Sequence, residues 1–287
     1  MDIHSESFIL LFQCRDRKGI VARISEFILN HDGNILTADQ YTTDPQHGSF
    51  FMRVEFSADR KKWDKLSLSQ DLALIASEFS GEYKVFDRLE SLRMGIFVSR
   101  PDHCLFELLY LWRAKELVVD IPFVVSNFSG HRDLVESFKI PFFYIPSTKE
   151  DKKEAELLKL ASEQSDFLVL ARYMQVLSAN FLKEYNKDII NIHHGFLPSF
   201  KGSDPYRQAF DKGVKVIGAT AHFVTENLDE GPIITQAVEN VSHKDDPSSL
   251  ASKGKRIEKH VLASAVASYI DYRIIKHNDK TVVFQDN

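Results

Sequence analysis

What this chain lacks narrows its class. Cysteine is nearly absent: Cys14 and Cys104 lie far apart and match no zinc spacing, so neither a disulfide framework nor a structural zinc site is expected, and a reducing compartment suits the chain. No apolar run approaches the roughly 20 residues of a membrane span. The start, Met1-Asp2-Ile3-His4-Ser5-Glu6, shows no basic segment followed by an apolar one, which predicts a cytoplasmic protein. Long basic runs are missing as well. With 36 Lys and Arg against 41 Asp and Glu, net charge is -5, and nucleic acid is not an expected partner. There is no HExxH pair, no internal repeat and no low-complexity segment. Glycine is missing from Val98-Ser99-Arg100-Pro101-Asp102-His103-Cys104, the first strand-to-helix turn of an α/β pattern, where a dinucleotide binder carries G-x-G-x-x-G. Without glycine the backbone cannot approach a phosphate closely, which argues against NAD or ATP there.

What remains is ordinary globular composition, 44% hydrophobic and 27% charged over 287 residues, enough for two domains. The first part predicts a βαββαβ plait. Residues 7–13 form an apolar strand, and Ile20, Ile24, Phe27 and Ile28 recur at helical spacing. Strands follow at about 34–43 and 48–56, joined at Asp44-Pro45-Gln46-His47-Gly48. A second helix carries Trp63, Leu66, Leu72, Ile75 and Ala76, and Tyr83–Phe86 is a last strand. Residues 1–87 make this first domain, 88–92 a short ordered joint, and 93–287 a second domain.

From Arg93 strands and helices alternate. Strands are expected at Met94–Val98, Val118–Ser126, Phe142–Ile145, Phe167–Leu170 and Ile189–Ile192. Helices fall at Cys104–Trp112, around Leu134–Phe138, at 149–163 with Ala155, Leu158 and Ala161 inward, and at about 247–271. Thr281–Phe284 is a possible final strand. This alternation predicts a mostly parallel sheet, Rossmann-like, covered by helices on both faces.

The chemistry concentrates between Asp188 and Gln236. One apolar strand ends in Asn191-Ile192-His193-His194-Gly195, and a second leads through His222-Phe223-Val224 to Leu228-Asp229-Glu230-Gly231-Pro232. Strand ends of an open α/β sheet border its ligand crevice. An amide, an imidazole and a carboxylate there can polarise a carbonyl and move protons. Each has a plainer reading: a strand-end Asn is often a turn residue, and an Asp before Glu-Gly-Pro can simply open a turn. His193, His194, His222 and Asp229 could be taken for metal ligands, but adjacent histidines on one loop rarely converge on one tetrahedral ion. No metal and no other cofactor is expected.

Asn191-Ile192-His193, Leu197-Pro198-Ser199, His222-Phe223-Val224, Leu228–Pro232 and, upstream, Ala171-Arg172-Tyr173-Met174-Gln175-Val176-Leu177-Ser178 together resemble the formyltransferase family that works on 10-formyltetrahydrofolate. The likeness is greatest to its hydrolytic branch. That branch has His-Cys-Leu where His103-Cys104-Leu105 stands, and His where transferases have Pro after the reactive histidine, here His194. Transferases acting on a phosphorylated glycinamide carry a Gly-Ser-Asn phosphate loop at the 99–103 turn, which this chain lacks. The resemblance implies hydrolysis of 10-formyltetrahydrofolate to formate and tetrahydrofolate, supplying formate for purine synthesis and balancing one-carbon pools. It implies Asn191, His193 and Asp229 as catalytic residues. Asn191 and His193 would bind the developing oxyanion or protonate the leaving nitrogen, and Asp229 would orient His193 and take a proton from water.

By the same resemblance the folate lies against Tyr173, Met174, Gln175, Val176 and Leu177 and against Val224, Thr225, Glu226, Asn227 and Leu228, with His222 supporting the site. Met174 and Leu177 read equally as core. His194 either holds the attacking water or merely fills its loop. Phe106 or its neighbours are expected to close the crevice. Gly202 followed by Ser203-Asp204 departs from the usual Gly-Ala-Arg. Lys149, Lys152 and Lys153 are candidates for the folate's glutamate tail by charge alone. A formyltransferase with an unphosphorylated acceptor, and a binding sensor without turnover, are the competing readings.

Asp16-Arg17-Lys18-Gly19-Ile20-Val21 followed by Gly33-Asn34-Ile35 resembles the ACT domain, a small regulatory module. That likeness implies an amino-acid effector at Asp16, Gly19, Ile20 and Asn34, and a homo-oligomer that covers exposed plait edges. The plain alternative is that the glycines only shape turns.

Overall fold

The computed structural model describes residues 7–44, 48–59, 65–148, 151–198 and 205–285, the side chains at 65–68 and 205 excepted. Pro45–His47 of the expected turn, Trp63, the Leu66 side chain, Lys149 and Gly202-Ser203-Asp204 lie outside these. The chain divides into two compact units, one of Met1–Ser91 with Tyr272–Ile275 and Val282–Asn287, the other of Leu92–Asp271 with Lys276–Thr281.

The first unit is the expected plait: β1 (Ser7–Arg15), α1 (Ile20–Asn30), β2 (Asn34–Thr42), β3 (Ser49–Ser57), α2 (Lys65–Phe79) and β4 (Glu82–Asp87). Its antiparallel sheet runs β2-β3-β1-β4. Alternation sorts the strands by face. Leu10, Phe12, Met52, Val54 and Phe56 meet Ile20, Ile24, Phe27 and Ile28 of α1 and Leu72, Ile75 and Ala76 of α2, the periodic positions read from sequence. Ile9, Leu11 and Phe51 point to the other face and pack with Ile275 and Phe284, while Tyr272 stacks on Phe86 at 3.8 Å between ring centroids. Among the described residues, the C-terminal strands β12 (Ile274–His277) and β13 (Lys280–Val283) pair with each other in a two-stranded sheet. Residues 272–275 and 282–285 therefore group with the first unit.

In the second unit β5 (Arg93–Val98), α3 (His103–Arg113), β6 (Asp120–Ser126), α4 (Arg132–Ser137), β7 (Phe142–Tyr144), α5 (Glu154–Gln164), β8 (Phe167–Ala171), α6 (Ala179–Tyr185) and β9 (Ile189–His193) alternate in order. Then come α7 (Pro205–Asp211), β10 (Val216–Phe223), β11 (Ile233–Asn240) and the long α8 (Pro247–Ile270). The sheet runs β11-β10-β9-β8-β5-β6-β7. β9, β8, β5, β6 and β7 are parallel, and β10 and β11 antiparallel. The fully buried Phe167–Ala171 strand is what an inner strand with helices on both faces requires. On α5, Leu157 and Ala161 turn inward and Leu158 is half-buried, but Ala155 is exposed; its inward stripe is one residue off the expected one. Chain order reverses between β5 and β8, and the crevice opens outside their carboxyl ends, as the switch-point rule demands. A capping box at Asp246 and Ser249, with Pro247 in the first turn, starts α8.

Candidate active site

Register builds the site. Asn191 and His193 share one face of β9, two residues apart. Antiparallel pairing sets His222 opposite Asn191 and Thr220 opposite His193. The Nδ1 of His222 lies 2.8 Å from the Phe223 carbonyl. A carbonyl can only accept, so Nδ1 carries the proton. Burial pushes the His222 pKa down, outweighing its bond to that carbonyl and the nearby Asp229, so Nε2 is bare. It accepts the Asn191 amide N–H at 3.2 Å. One N–H of Asn191 is thereby committed, and its second projects from a strand end that lines a cavity of about 960 Å³.

Asp229 reaches the same point from the loop after β10. Its backbone is left-handed, φ 58°, a conformation Asp and Asn tolerate better than most residues. Oδ2 accepts from His193 Nδ1 at 3.2 Å, and Oδ1 lies 3.7 Å from His222 Nε2. Burial raises the Asp229 pKa, but the His193 hydrogen bond, with the electrostatic influence of the neighbouring imidazoles, brings it net below the ordinary carboxylate range. Asp229 is thus an anion with one oxygen committed. The far nitrogen of His193, Nε2, is buried without a protein hydrogen-bond partner, and His193 lines the cavity.

The loop that carries these groups is pinned by Thr220, fully buried. Its hydroxyl donates to the Gly195 carbonyl at 2.9 Å and accepts from Leu197 N–H at 3.0 Å and Gln236 Nε2 at 2.9 Å, which uses its whole capacity. Gln236 also donates to the Leu197 carbonyl. The following Leu197–Pro198 bond is cis. Sequence reading missed both anchors; their one signal was position, since each points to the His193 side of its strand.

The residues expected to hold folate surround the cavity: Tyr173, Met174, Gln175, Val176 and Leu177 on one side, Val224, Thr225, Glu226, Asn227 and Leu228 on the other, with His194 and His222. Met174, Val176 and Leu228 are 53%, 54% and 63% exposed, so Met174 is not core packing. Tyr173 and Leu177 are both core and lining. The 172–178 loop is tied down where it leaves β8. Met174 N–H donates to Ser99 Oγ, Ser99 N–H to the Arg172 carbonyl, and Lys152 Nζ to the Val176 carbonyl.

Lys152 is therefore engaged, and Lys153 pairs with Asp151; neither lines the cavity, whose cations are Arg100, Arg172 and Lys255. Phe106, 53% exposed, does not line it either; one turn earlier Pro101, Asp102 and His103 do, because Phe106 faces outward on α3. In the first unit Gly19 is left-handed at φ 97°, and Asp16 and Asn34 keep solvent access. Ile20 is 2% exposed in the plait core, so it offers a ligand only its backbone.

A buried cluster at the cavity's other end escaped the sequence reading. Glu258 of α8, 1% exposed, binds His103 Nε2 at 2.8 Å and the Tyr206 hydroxyl at 2.5 Å, and pairs by charge with Arg172, whose Nε lies 3.2 Å away without hydrogen-bond geometry. Burial raises its pKa, but His103, Arg172 and Tyr206 bring it net below the usual value. His103, Cys104 and Glu258 place potential ligand atoms within 4.8 Å of one another. They fit a cation poorly: the Arg172 charge adjoins them, both Glu258 oxygens are bonded, and burial, reinforced by Glu258, pushes the Cys104 thiol well up, keeping it protonated.

Comparison with known proteins follows the division of the chain. Residues 92–266 match the family model described as formyl transferase, and residues 8–62 the ACT domain model. A formyltetrahydrofolate deformylase of Bacillus subtilis is 44% identical over 96% of this chain and 93% of its own. The crystal structure of a formyltetrahydrofolate deformylase from Pseudomonas syringae superposes with a TM-score of 0.92 at 42% identity, over 97% of this chain and 94% of that one. A phosphoribosylglycinamide formyltransferase from Anaplasma phagocytophilum matches 69% of this chain and 97% of its own, with a TM-score of 0.63 at 31% identity. No helix among the described residues is long and apolar enough to cross a membrane.

Proposed function

We propose, for a chain that belongs to the formyl transferase family and within it to the formyltetrahydrofolate deformylases, that Asn191, His193 and Asp229 carry out its reaction. That reaction is hydrolysis of 10-formyltetrahydrofolate to formate and tetrahydrofolate. The observation that carries the assignment is the Asp229–His193 pair at 3.2 Å, with the opposite nitrogen of His193 buried, unpartnered and on the cavity.

A formamide carbon is a poor electrophile, so its oxygen must be polarised and water activated. The pterin packs between Tyr173–Leu177 and Val224–Leu228, which brings the formyl group over the end of β9. Water oxygen bonds to the formyl carbon and gives one proton to the uncommitted oxygen of Asp229. The oxyanion receives the second N–H of Asn191. His193, held by Asp229 through Nδ1, delivers a proton from Nε2 to N10. The C–N10 bond then breaks, leaving tetrahydrofolate and formic acid, which gives its remaining proton to solvent and departs as formate. His194 is suited to hold the water as an acceptor: burial, with the Arg172 charge, lowers its pKa to about 4, so it is neutral near pH 7.

Around this core we place the product formate in purine supply, the protein in the cytoplasm, and no metal or other cofactor in the reaction. For the first unit we propose an amino-acid effector at Asp16, Gly19, Asn34 and the Ile20 backbone, within a homo-oligomer. The decisive assay supplies 10-formyltetrahydrofolate alone. Formate and tetrahydrofolate appear in equal amounts, and added glycinamide ribonucleotide leaves both rates unchanged. Formyl label arriving on glycinamide ribonucleotide in preference to formate would overturn the reading.

A further inference from the structure

The Glu258 cluster plays no part in the steps above, yet it occupies the cavity that holds them. Four elements converge to build it: the first residue of α3, the loop after β8, α7 and α8. Gly254, one turn before Glu258, leaves room for the Tyr206 ring; a methyl group there would run into it. Arg172 stands at φ 63°, a backbone better suited to glycine. A non-glycine residue in that region stores strain, and such strain gathers at functional sites. Turning the chain would not need a guanidinium, so the cluster does.

Its place in the cavity gives the role. The slot between 173–177 and 224–228 is the folate side. The remaining wall is Arg100–His103, Tyr206, Ala251, Lys255 and Glu258, and it adjoins the reacting groups through His194, whose ring centroid is 6.2 Å from that of Tyr206. It is the part of the lining that the folate slot leaves free. Proteins of the same fold are named as transferases to an amine-bearing acceptor, so the fold itself does not exclude one.

We propose that the Arg172–Glu258–His103–Tyr206 cluster closes the acceptor side of the cavity and so restricts the formyl acceptor to water. The proposal rests on the deformylase reading above. To admit an amine beside the formyl carbon, the clamp must open. That would strand a buried ion pair, which a low-dielectric site penalises. Water needs no opening. Specificity comes from what is shut out as much as from what is bound. Where the clamp is removed, a neutral amine nitrogen bonds to the formyl carbon, the C–N10 bond breaks, one amine proton ends on N10, and the products are a formamide and tetrahydrofolate.

The test measures partition of formyl label from 10-formyltetrahydrofolate between formate and N-formyl product as glycinamide or hydroxylamine is added. Wild type gives formate alone. Arg172→Gly, which suits the local backbone, and Arg172→Gly with Glu258→Ala, which leaves no orphan charge, raise the N-formyl share by about tenfold or more, the scale of a pocket's steric discrimination. Tyr206→Phe removes one hydrogen bond and no charge; it moves the share the same way by less, and keeps the test open if the others fold poorly. Folded variants with an unchanged share, or with both products lost together, overturn the proposal. Absence of formate from wild type would instead sink the deformylase reading itself.

Discussion

Replacing Asp229 with asparagine isolates the base from the scaffold. The usual difficulty with such a variant is that it disturbs the backbone, but φ is 58° here, and Asn enters that region as readily as Asp. Its side-chain oxygen can still accept from His193 Nδ1, so the 3.2 Å contact survives in shape. What disappears is the charge and the second acceptor oxygen. At 3.2 Å and an effective dielectric of about 20, a carboxylate and an imidazolium attract by roughly 5 kcal/mol before desolvation is counted. Loss of a general base costs about 10²–10⁴ in rate, or about 3–5 kcal/mol of barrier, which that interaction is large enough to supply. The expected outcome is kcat down by that factor, folate affinity within a few-fold, and an unchanged circular dichroism spectrum. Tetrahydrofolate formation and formate release are followed together. A folded Asp229→Asn protein that turns over within about threefold of wild type would refute the role, and so would a loss confined to KM.

The imidazole of His194 should titrate near 4, read by NMR of labelled histidine with His194→Asn as the assignment control; a midpoint near 6.5 would remove the burial argument. Removing the Arg172 cation should raise that midpoint, and Glu258→Gln should lower it. Because folding depresses this pKa, the unfolded chain binds the extra proton between pH 6.5 and 4, so stability is full above 6.5 and falls toward 4, by at most about 3 kcal/mol; urea midpoints of wild type and His194→Asn should converge in that window. Thr220→Val strands Leu197 N–H and the Gly195 carbonyl and should cost about 1–3 kcal/mol in unfolding free energy, with kcat reduced; an unchanged urea midpoint would deny the anchor. Sedimentation at micromolar concentration should show an oligomer, and calorimetry against an amino-acid panel should show heat for at least one; a monomer and a silent panel would dismiss the two proposals separately.

Periodicity carried most of the fold. Ile20, Ile24, Phe27 and Ile28 were legible because one face of a helix must be buried whatever lies opposite. The Phe167–Ala171 strand was legible because burial on both faces leaves no polar position. That Asn191, His193 and Asp229 meet on one cavity was legible because they sit at strand ends in sequence-local groups. Glu258 was not, since a lone glutamate on an amphipathic helix carries no sign of facing inward; only the arrival of His103, Arg172 and Tyr206 from distant segments makes its burial tolerable. The grouping of the C-terminal strands was not legible for the same reason. Thr281–Phe284 reads as a strand, but nothing local says which sheet it serves.

That grouping has a bearing on how the molecule is made. Ile9, Leu11 and Phe51 leave the ribosome early, while Ile275 and Phe284, which cover them, are synthesised only after the whole parallel sheet. At about 5–20 residues per second, the intervening stretch keeps the nascent plait waiting on the order of ten seconds or more with one sheet face open. The unit translated first is therefore the one completed last.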